Sequence, residues 1–362
     1  MKIIVNGRFL IHRITGVERY ARELLNQLDK IVNREEIVLA IPPEVEEVPQ
    51  YQNIRVIKVG RLHNQLWEHI SFPRFVKKQK GISLNLCNVA PLSSPDIVCI
   101  HDVKVKATPQ YFSKKFIMWY NLLFTNETRR ARQIVTVSEF SKSEIIKYFK
   151  VDTQKIAVVP NAWQHYERID FDENALKKYN ITKNNYVFSM CSLEPNKNFR
   201  WIAENARRNP NILFVVAGAI NKKVFLDGLG FECPNNMKLL GYISDEEAKT
   251  LMRDCKVFLF PTFYEGFGIP PLEAMSAGAK NIYVSDTPVM HEIFENSVHY
   301  VNPHDLTTSI DFLSEKDKCK VDAESILKKY SWNKSALLMK KILDRWTDKN
   351  ENNILAFHEF DK

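Results

Sequence analysis

The sequence predicts an α/β chain of two domains, each a parallel sheet layered between helices. Three observations carry this. At 362 residues the chain exceeds what one hydrophobic core usually organises. Short apolar runs ended by Gly, Pro or Asn alternate with longer stretches of helical periodicity, the βαβα pattern of parallel sheets. The alternation halts at Pro160-Asn161 and restarts at Tyr186, so the break falls near the middle.

Composition narrows the class. Hydrophobic content of 45% with 26% charge is that of a water-soluble globular chain. No apolar run approaches the ~18 residues of a membrane span. Met-Lys-Ile-Ile-Val-Asn-Gly enters a strand directly, so no signal peptide is expected. The six cysteines are scattered without a Cys-x-x-Cys pair, which fits a reducing cytosol and no disulfide framework. Charge is uneven: residues 1–165 hold 25 Lys and Arg against 15 Asp and Glu, whereas residues 166–362 hold 26 against 28. The basic first half suits an anionic substrate or an anionic membrane surface. No nucleic-acid recognition motif accompanies it, so nucleic acid is not expected.

The elements follow in order. Lys2–Val5 reads as a strand. From Val17 the apolar positions Val17, Tyr20, Ala21, Leu24, Leu25 and Leu28 recur at helical spacing, with Gly16 at the mouth of that helix. Strands are expected at 37–41, 54–59, 84–86 and 96–100, with a helix opening near Gln65. His101 and Asp102 follow the last of these, where α/β sheets bind ligands. A lone His there is more often structural than catalytic. Residues 110–132 interleave aromatics with bases, and a core helix with a basic rim is favoured over a helix resting on anionic lipid. A strand at 134–137, a helix capped by Ser138 and a strand at 156–159 close the first domain.

Asp170-Phe171-Asp172 lies in a polar stretch and reads as a linker, and no His/Cys/Asp cluster has metal-ligand spacing, so no metal or other cofactor is expected. The second domain restarts with Tyr186–Met190, followed by Cys191-Ser-Leu-Glu-Pro-Asn-Lys197. A Lys beyond a strand end can neutralise a diphosphate, although most such lysines are surface residues. Strands at 212–217 and 237–240 follow, then a capping box at Ser244 and Glu247.

The richest stretch is 257–278. Val257–Phe260 is an apolar strand ended by Pro261, the loop carries Gly266 and Gly268, and Pro270-Pro271 open a helix that Gly278 ends. Free N–H groups at that helix start would suit a phosphate. Glu265 lies in the loop and Glu273 is placed in the first helical turn, where either carboxylate could accept from a vicinal diol. An acid in a first turn more commonly just complements the helix dipole.

This string resembles the Glu-x7-Glu signature of retaining nucleotide-sugar glycosyltransferases of family 4, which have the GT-B fold: two Rossmann-like α/β/α domains facing a central cleft. The resemblance implies an acceptor-binding domain over 1–165, a donor-binding domain over 166–330, and a helix in 331–362 that crosses back to the first. It implies that Glu265 and His101 are the catalytic pair contacting the sugar, and that Glu273 holds the ribose. Gly266, Phe267, Gly268, Ile269 and Leu272 would lie along the donor, and Gly16 beside its diphosphate. Lys197 would neutralise that diphosphate, and Tyr242 and Ile243 would read the base. Four positions depart from the family pattern: Thr15 where a second glycine is common, Ala162 in the hinge, Cys191 in place of a diphosphate-binding Arg, and Asn196 in place of the next Arg. The activity implied is transfer of a hexose from a nucleotide diphosphate sugar, with retention, to a glycan acceptor carried on a lipid. Such chains build O-antigen, capsule or exopolysaccharide at the cytoplasmic face of the membrane. Rival readings are a GT-B epimerase or phosphorylase, and a nucleotide-sugar-binding protein without catalysis.

Overall fold

The computed structural model describes residues 1–192, 194–219, 233–307, 319 and 321–347. The chain divides into two compact units. The first comprises 1–106, 113–161 and the C-terminal segment from Trp332; the second comprises 107–112 and 162–331. The segment 107–112, read as part of the first domain, thus groups with the second.

The first unit is built on a seven-stranded sheet, all of it parallel, in the order β3-β2-β1-β4-β5-β6-β7. The strands are β1 (Ile3–Asn6), β2 (Ile37–Ile41), β3 (Arg55–Lys58), β4 (Ile82–Asn85), β5 (Ile97–Cys99), β6 (Gln133–Thr136) and β7 (Ile156–Val158). All but the edge strands β3 and β7 are buried along their whole length, which is why they read as apolar runs and not as alternation. The helix Gly16–Leu28 buries Tyr20, Leu24, Leu25 and Leu28, and the C-terminal helix Trp332–Thr347 packs against it. Tyr20 meets Trp332 edge-on at 5.9 Å, and the Ser335 hydroxyl donates to Pro160 O at 2.7 Å. The aromatic, basic helix spans Lys114–Arg130 and divides in character. Its second half buries Leu123, Phe124 and Glu127, whereas its first half leaves Phe116, Met118 and Leu122 exposed.

The second unit holds a six-stranded parallel sheet in the order β10-β9-β8-β11-β12-β13. Its strands are β8 (Tyr186–Met190), β9 (Leu213–Ala217), β10 (Met237–Gly241), β11 (Val257–Phe260), β12 (Ile282–Ser285) and β13 (His299–Val301). Strand β13 and the helix Ala323–Lys329 were not legible beforehand. Trp201, Phe214, Leu259 and their neighbours form the core on one face of this sheet.

In each sheet the winding reverses beside its first strand. The chain runs β1, β2, β3 outward and returns to place β4 on the other side of β1; it runs β8, β9, β10 outward and returns to place β11 beside β8. A crevice opens at the carboxyl ends of two such strands, because their connections leave in opposite directions.

Candidate active site

At the switch point of the second unit, the loops leaving β8 and β11 are tied together. Asn198, in the left-handed conformation (φ 57°), donates to Pro261 O at 2.9 Å and to Pro303 O at 2.8 Å. Phe263 N–H donates to Asn196 O at 2.9 Å. These bonds set Lys197 against Glu265. Lys197 Nζ donates to Glu265 Oε1 at 2.7 Å and lies 5.6 Å from the centre of the Phe260 ring. Both side chains keep partial access to solvent, 20% and 16%. The pair can therefore present one cation and one carboxylate to the same ligand.

Cys191, where the resemblance implies an Arg, is buried, and burial pushes its thiol up to about 11. It supplies no charge at neutral pH. Arg200 lies exposed on the following helix. Close approach of β8 and β9 explains Gly218: at φ +143°, a Cβ there would stand 2.1 Å from Cys191 O.

The helix Ile269–Ala277 starts at Gly268 (φ +105°), whose missing side chain faces Met290 and Phe294. Two expectations need correction here. Pro270 and Pro271 have no N–H, so this helix start offers a phosphate only the N–H groups of Gly268 and Ile269 and not a full turn of donors. Glu273 is the fifth residue of the helix, beyond its first turn, and is buried. Its Oε1 accepts from His165 Nε2 at 2.8 Å, with His165 1% exposed and Glu273 6%. A buried, hydrogen-bonded carboxylate is not a dipole complement. It is held in one orientation.

Phe267 is buried with its ring edge-on to Tyr330 at 5.1 Å, so at this position only the backbone can meet a donor. Leu272, counted among the donor contacts, is wholly buried and belongs to the core. Gly266 is buried and Ile269 half-buried at the loop end. Gly241 (φ +72°) accepts from Gly218 N–H at 2.8 Å, fixing the turn that exposes Tyr242 and buries Ile243.

In the first unit, Gly16 is the exposed first residue of its helix, and Thr15 caps it by donating to the Glu18 carboxylate, its N–H at 3.1 Å. His101 is nearly buried and held from four sides. Its N–H donates to Asn88 Oδ1 at 2.6 Å, its carbonyl accepts from Ser141 Oγ at 2.9 Å, and Tyr20 lies edge-on at 4.8 Å. Its Nε2 meets Leu86 O at 2.8 Å. A carbonyl can only accept, so Nε2 carries the proton and Nδ1 the lone pair. Burial lowers the His101 pKa, which favours this neutral form. Asp102 turns back to accept from Lys104 N–H at 3.0 Å, a local structural role.

His165 escaped the sequence reading. It lies in an irregular polar stretch with no periodicity, 108 residues from the carboxylate it meets.

Two parallel-sheet α/β units, one carrying a cation–carboxylate pair and a fixed buried carboxylate at its switch point, define a glycosyltransferase of the GT-B class. The fold comparison agrees: sucrose-phosphate synthase from Thermosynechococcus elongatus superposes with a TM-score of 0.73 over 95% of this chain and 98% of its own, at 14% identity. The model of glycosyl transferases group 1 matches residues 171–330, and that of glycosyltransferase family 4 matches residues 14–163. The chain belongs to glycosyltransferase family 4 and is a hexosyltransferase. It is 27% identical to the O-antigen chain mannosyltransferase RfbU of Salmonella typhimurium, over 84% of this chain and 87% of the relative. It is 25% identical to O-antigen chain mannosyltransferase B of Escherichia coli, over 84% and 88%.

Proposed function

We propose that the enzyme transfers mannose from a nucleotide diphosphate donor to a lipid-linked glycan, with retention, in O-antigen or related polysaccharide assembly. The observation that carries this reading is the Lys197–Glu265 pair at the second switch point. Lys197 neutralises the departing diphosphate, a role that Cys191 leaves to it in this loop. Glu265 accepts from hydroxyls of the transferred sugar, and Glu273 from the ribose diol. On the first unit, His101 offers Nδ1 to a sugar hydroxyl. With Lys197 bound to it, Glu265 is a restrained acceptor and a poor covalent nucleophile, which favours retention without a glycosyl-enzyme intermediate. Mannose is the first choice because both relatives above are named as mannosyltransferases.

The reading includes metal independence, since Lys197 supplies the positive charge. It also includes work at the inner membrane face. Among the described residues no helix is long and apolar enough to cross a membrane. The exposed Phe116, Met118 and Leu122 beside Lys114 and Lys115 suit a peripheral contact with anionic lipid.

The test is nucleoside diphosphate release from GDP-mannose and a panel of UDP- and dTDP-sugars, with and without extracted lipid-linked glycans and with EDTA. Release from GDP-mannose that lipid extract stimulates, EDTA spares and Glu265→Gln abolishes is the expected result. Turnover of another donor alone would overturn the choice of mannose. Product anomers assigned by NMR would settle the stereochemistry.

A further inference from the structure

The first unit has a switch point of its own, and a cavity of about 260 Å³ lies there. Residues at the end of β1 and just after it (Asn6, Arg8, Phe9, His12) and just after β4 (Leu86, Cys87, Val89) line it, together with Glu18, Glu68 and Tyr120. Its polar wall is built. Glu68, 3% exposed, accepts from Arg8 Nη1 at 2.8 Å and from Asn6 Nδ2 at 2.8 Å, and Asn6 in turn donates to Asn85 Oδ1 at 3.1 Å. The Arg8 side chain is 18% exposed and, among the described residues, donates from Nη1 to Glu68, so its guanidinium retains donor capacity toward the cavity it lines. Glu68 sits on a π-helical turn, Trp67–Ser71, in which Phe72 N–H reaches back to Trp67 O. That wide turn buries Trp67 and Glu68 side by side, and such turns recur at functional sites.

The charges select the ligand. Arg8 is opposed by Glu68 and Glu18, and burial, with Arg8 nearby, lowers the pKa of His12. No surplus of positive charge remains for a phosphate. The neighbouring, more open cavity, which shares Arg8, has Arg61 and His63 instead. Glu68 oxygens, guanidinium N–H groups and the Asn6 amide are the partners of a vicinal diol, and Phe9, Leu86 and Val89 suit the C–H face of a ring. Pockets for drug-sized ligands run from about 300 to 1,000 Å³, so this volume is that of a single ring.

We propose that this cavity seats one neutral sugar ring of the acceptor, with Glu68 and Arg8 as its hydrogen-bonding partners and Asn6 as a positioning residue for Glu68. The proposal rests on the glycosyltransferase reading and names the part of the acceptor that the first unit grips.

The test uses Glu68→Gln and His12→Trp, the latter at the exposed rim so that it narrows the mouth without touching the core. Two arms are run on the full chain. In the first, saturation-transfer NMR without donor uses the methyl glycosides of mannose, glucose, galactose and N-acetylglucosamine, with pyrophosphate as the anionic probe followed by phosphorus line broadening. One glycoside should bind the wild type and lose its signal in both variants, while pyrophosphate binding stays. In the second, acceptor KM should rise at least about tenfold in both variants while donor KM stays within about twofold. If no glycoside binds the wild type, or if both variants bind it unchanged, the proposal is overturned. If donor KM moves and acceptor KM does not, the cavity serves the donor and the proposal is again overturned, with glycosyl transfer left standing. A wild type that turns over no donor would count against the functional reading, while the glycoside arm would still decide the cavity's ligand.

Discussion

The buried His165–Glu273 pair makes a claim that melting curves can check. Replacing His165 with Phe keeps a ring of similar size and removes the Nε2–H that Glu273 Oε1 accepts at 2.8 Å. A hydrogen bond to a charged group contributes about 1.5–3 kcal/mol, and a buried carboxylate left without its partner can cost roughly 3–5 kcal/mol. For a unit of this size each kcal/mol shifts Tm by about 2–4 °C, so a cost of about 3–5 kcal/mol in His165→Phe should lower the transition of the second unit by roughly 6–20 °C. Glu273→Gln should cost much less, because the amide oxygen still accepts from His165. The double variant His165→Phe/Glu273→Gln should melt above His165→Phe alone, since no stranded carboxylate remains. Kinetics separates orientation from stability. On the proposal that Glu273 accepts from the ribose diol, His165→Phe should raise donor KM about tenfold, some 1.4 kcal/mol, and change kcat much less. Scanning calorimetry and initial-rate kinetics on the four proteins are sufficient. A His165→Phe protein with wild-type Tm, or a double variant no more stable than the single, would mean that Glu273 does not depend on the His165 hydrogen bond.

Three further outcomes follow from the geometry. Lys197→Met should weaken nucleotide diphosphate binding at least about tenfold by calorimetry, and binding of the free nucleoside should hardly change, because only the diphosphate loses its counter-charge. Glu127 is wholly buried in the first unit, with Oε1 accepting from Ala90 N–H at 2.8 Å and Oε2 unpartnered. Burial pushes its carboxyl up from 4.5 to about 8. Between those values the folded chain holds the extra proton, so stability is full below pH 4.5, falls as pH rises, and has lost on the order of 5 kcal/mol above pH 8. Glu127→Gln should therefore melt well above the wild type at pH 8 and level with it near pH 4.5. Gly218→Ala should destabilise the second unit by about 3 kcal/mol or more, since its Cβ would stand 2.1 Å from Cys191 O at φ +143°; a loss of soluble yield and of Tm is the readout.

What the sequence made legible was local. Val257–Phe260 and Ile37–Ile41 were readable as strands because every residue in them is buried, and the capping box at Ser244 and Glu247 because it is a contact across three residues. Gly268 and Gly278 were readable because both occupy positive φ. What escaped was set by distance or by backbone detail. No pattern links His165 to Glu273. The π turn that buries Glu68 looks in sequence like the start of an ordinary helix, and its Arg8 partner lies 60 residues away. The phosphate reading of the helix at Ile269 stumbled on the very prolines that marked its start: they fix φ and so favour the position, but carry no N–H to donate. Family resemblance placed Lys197 and Glu265 in one site without showing that they bind each other.

The two sheets share a winding pattern and differ in what stands at its reversal. Chain reversal obliges the loops after β8 and β11, and those after β1 and β4, to part from each other, so each unit has a crevice at that point. In the second unit the crevice gathers an accessible cation beside a carboxylate, which can meet a ligand that is both anionic and hydroxylated. In the first, although that half of the chain carries the whole basic surplus, the crevice is walled by Glu68 and Glu18 against Arg8 alone, and the cations lie elsewhere on the surface. Net charge thus misreports the site. A basic domain whose cavity is not basic is what an enzyme needs if one unit is to bind a nucleotide diphosphate and the other is to bind a sugar without competing for the same phosphate.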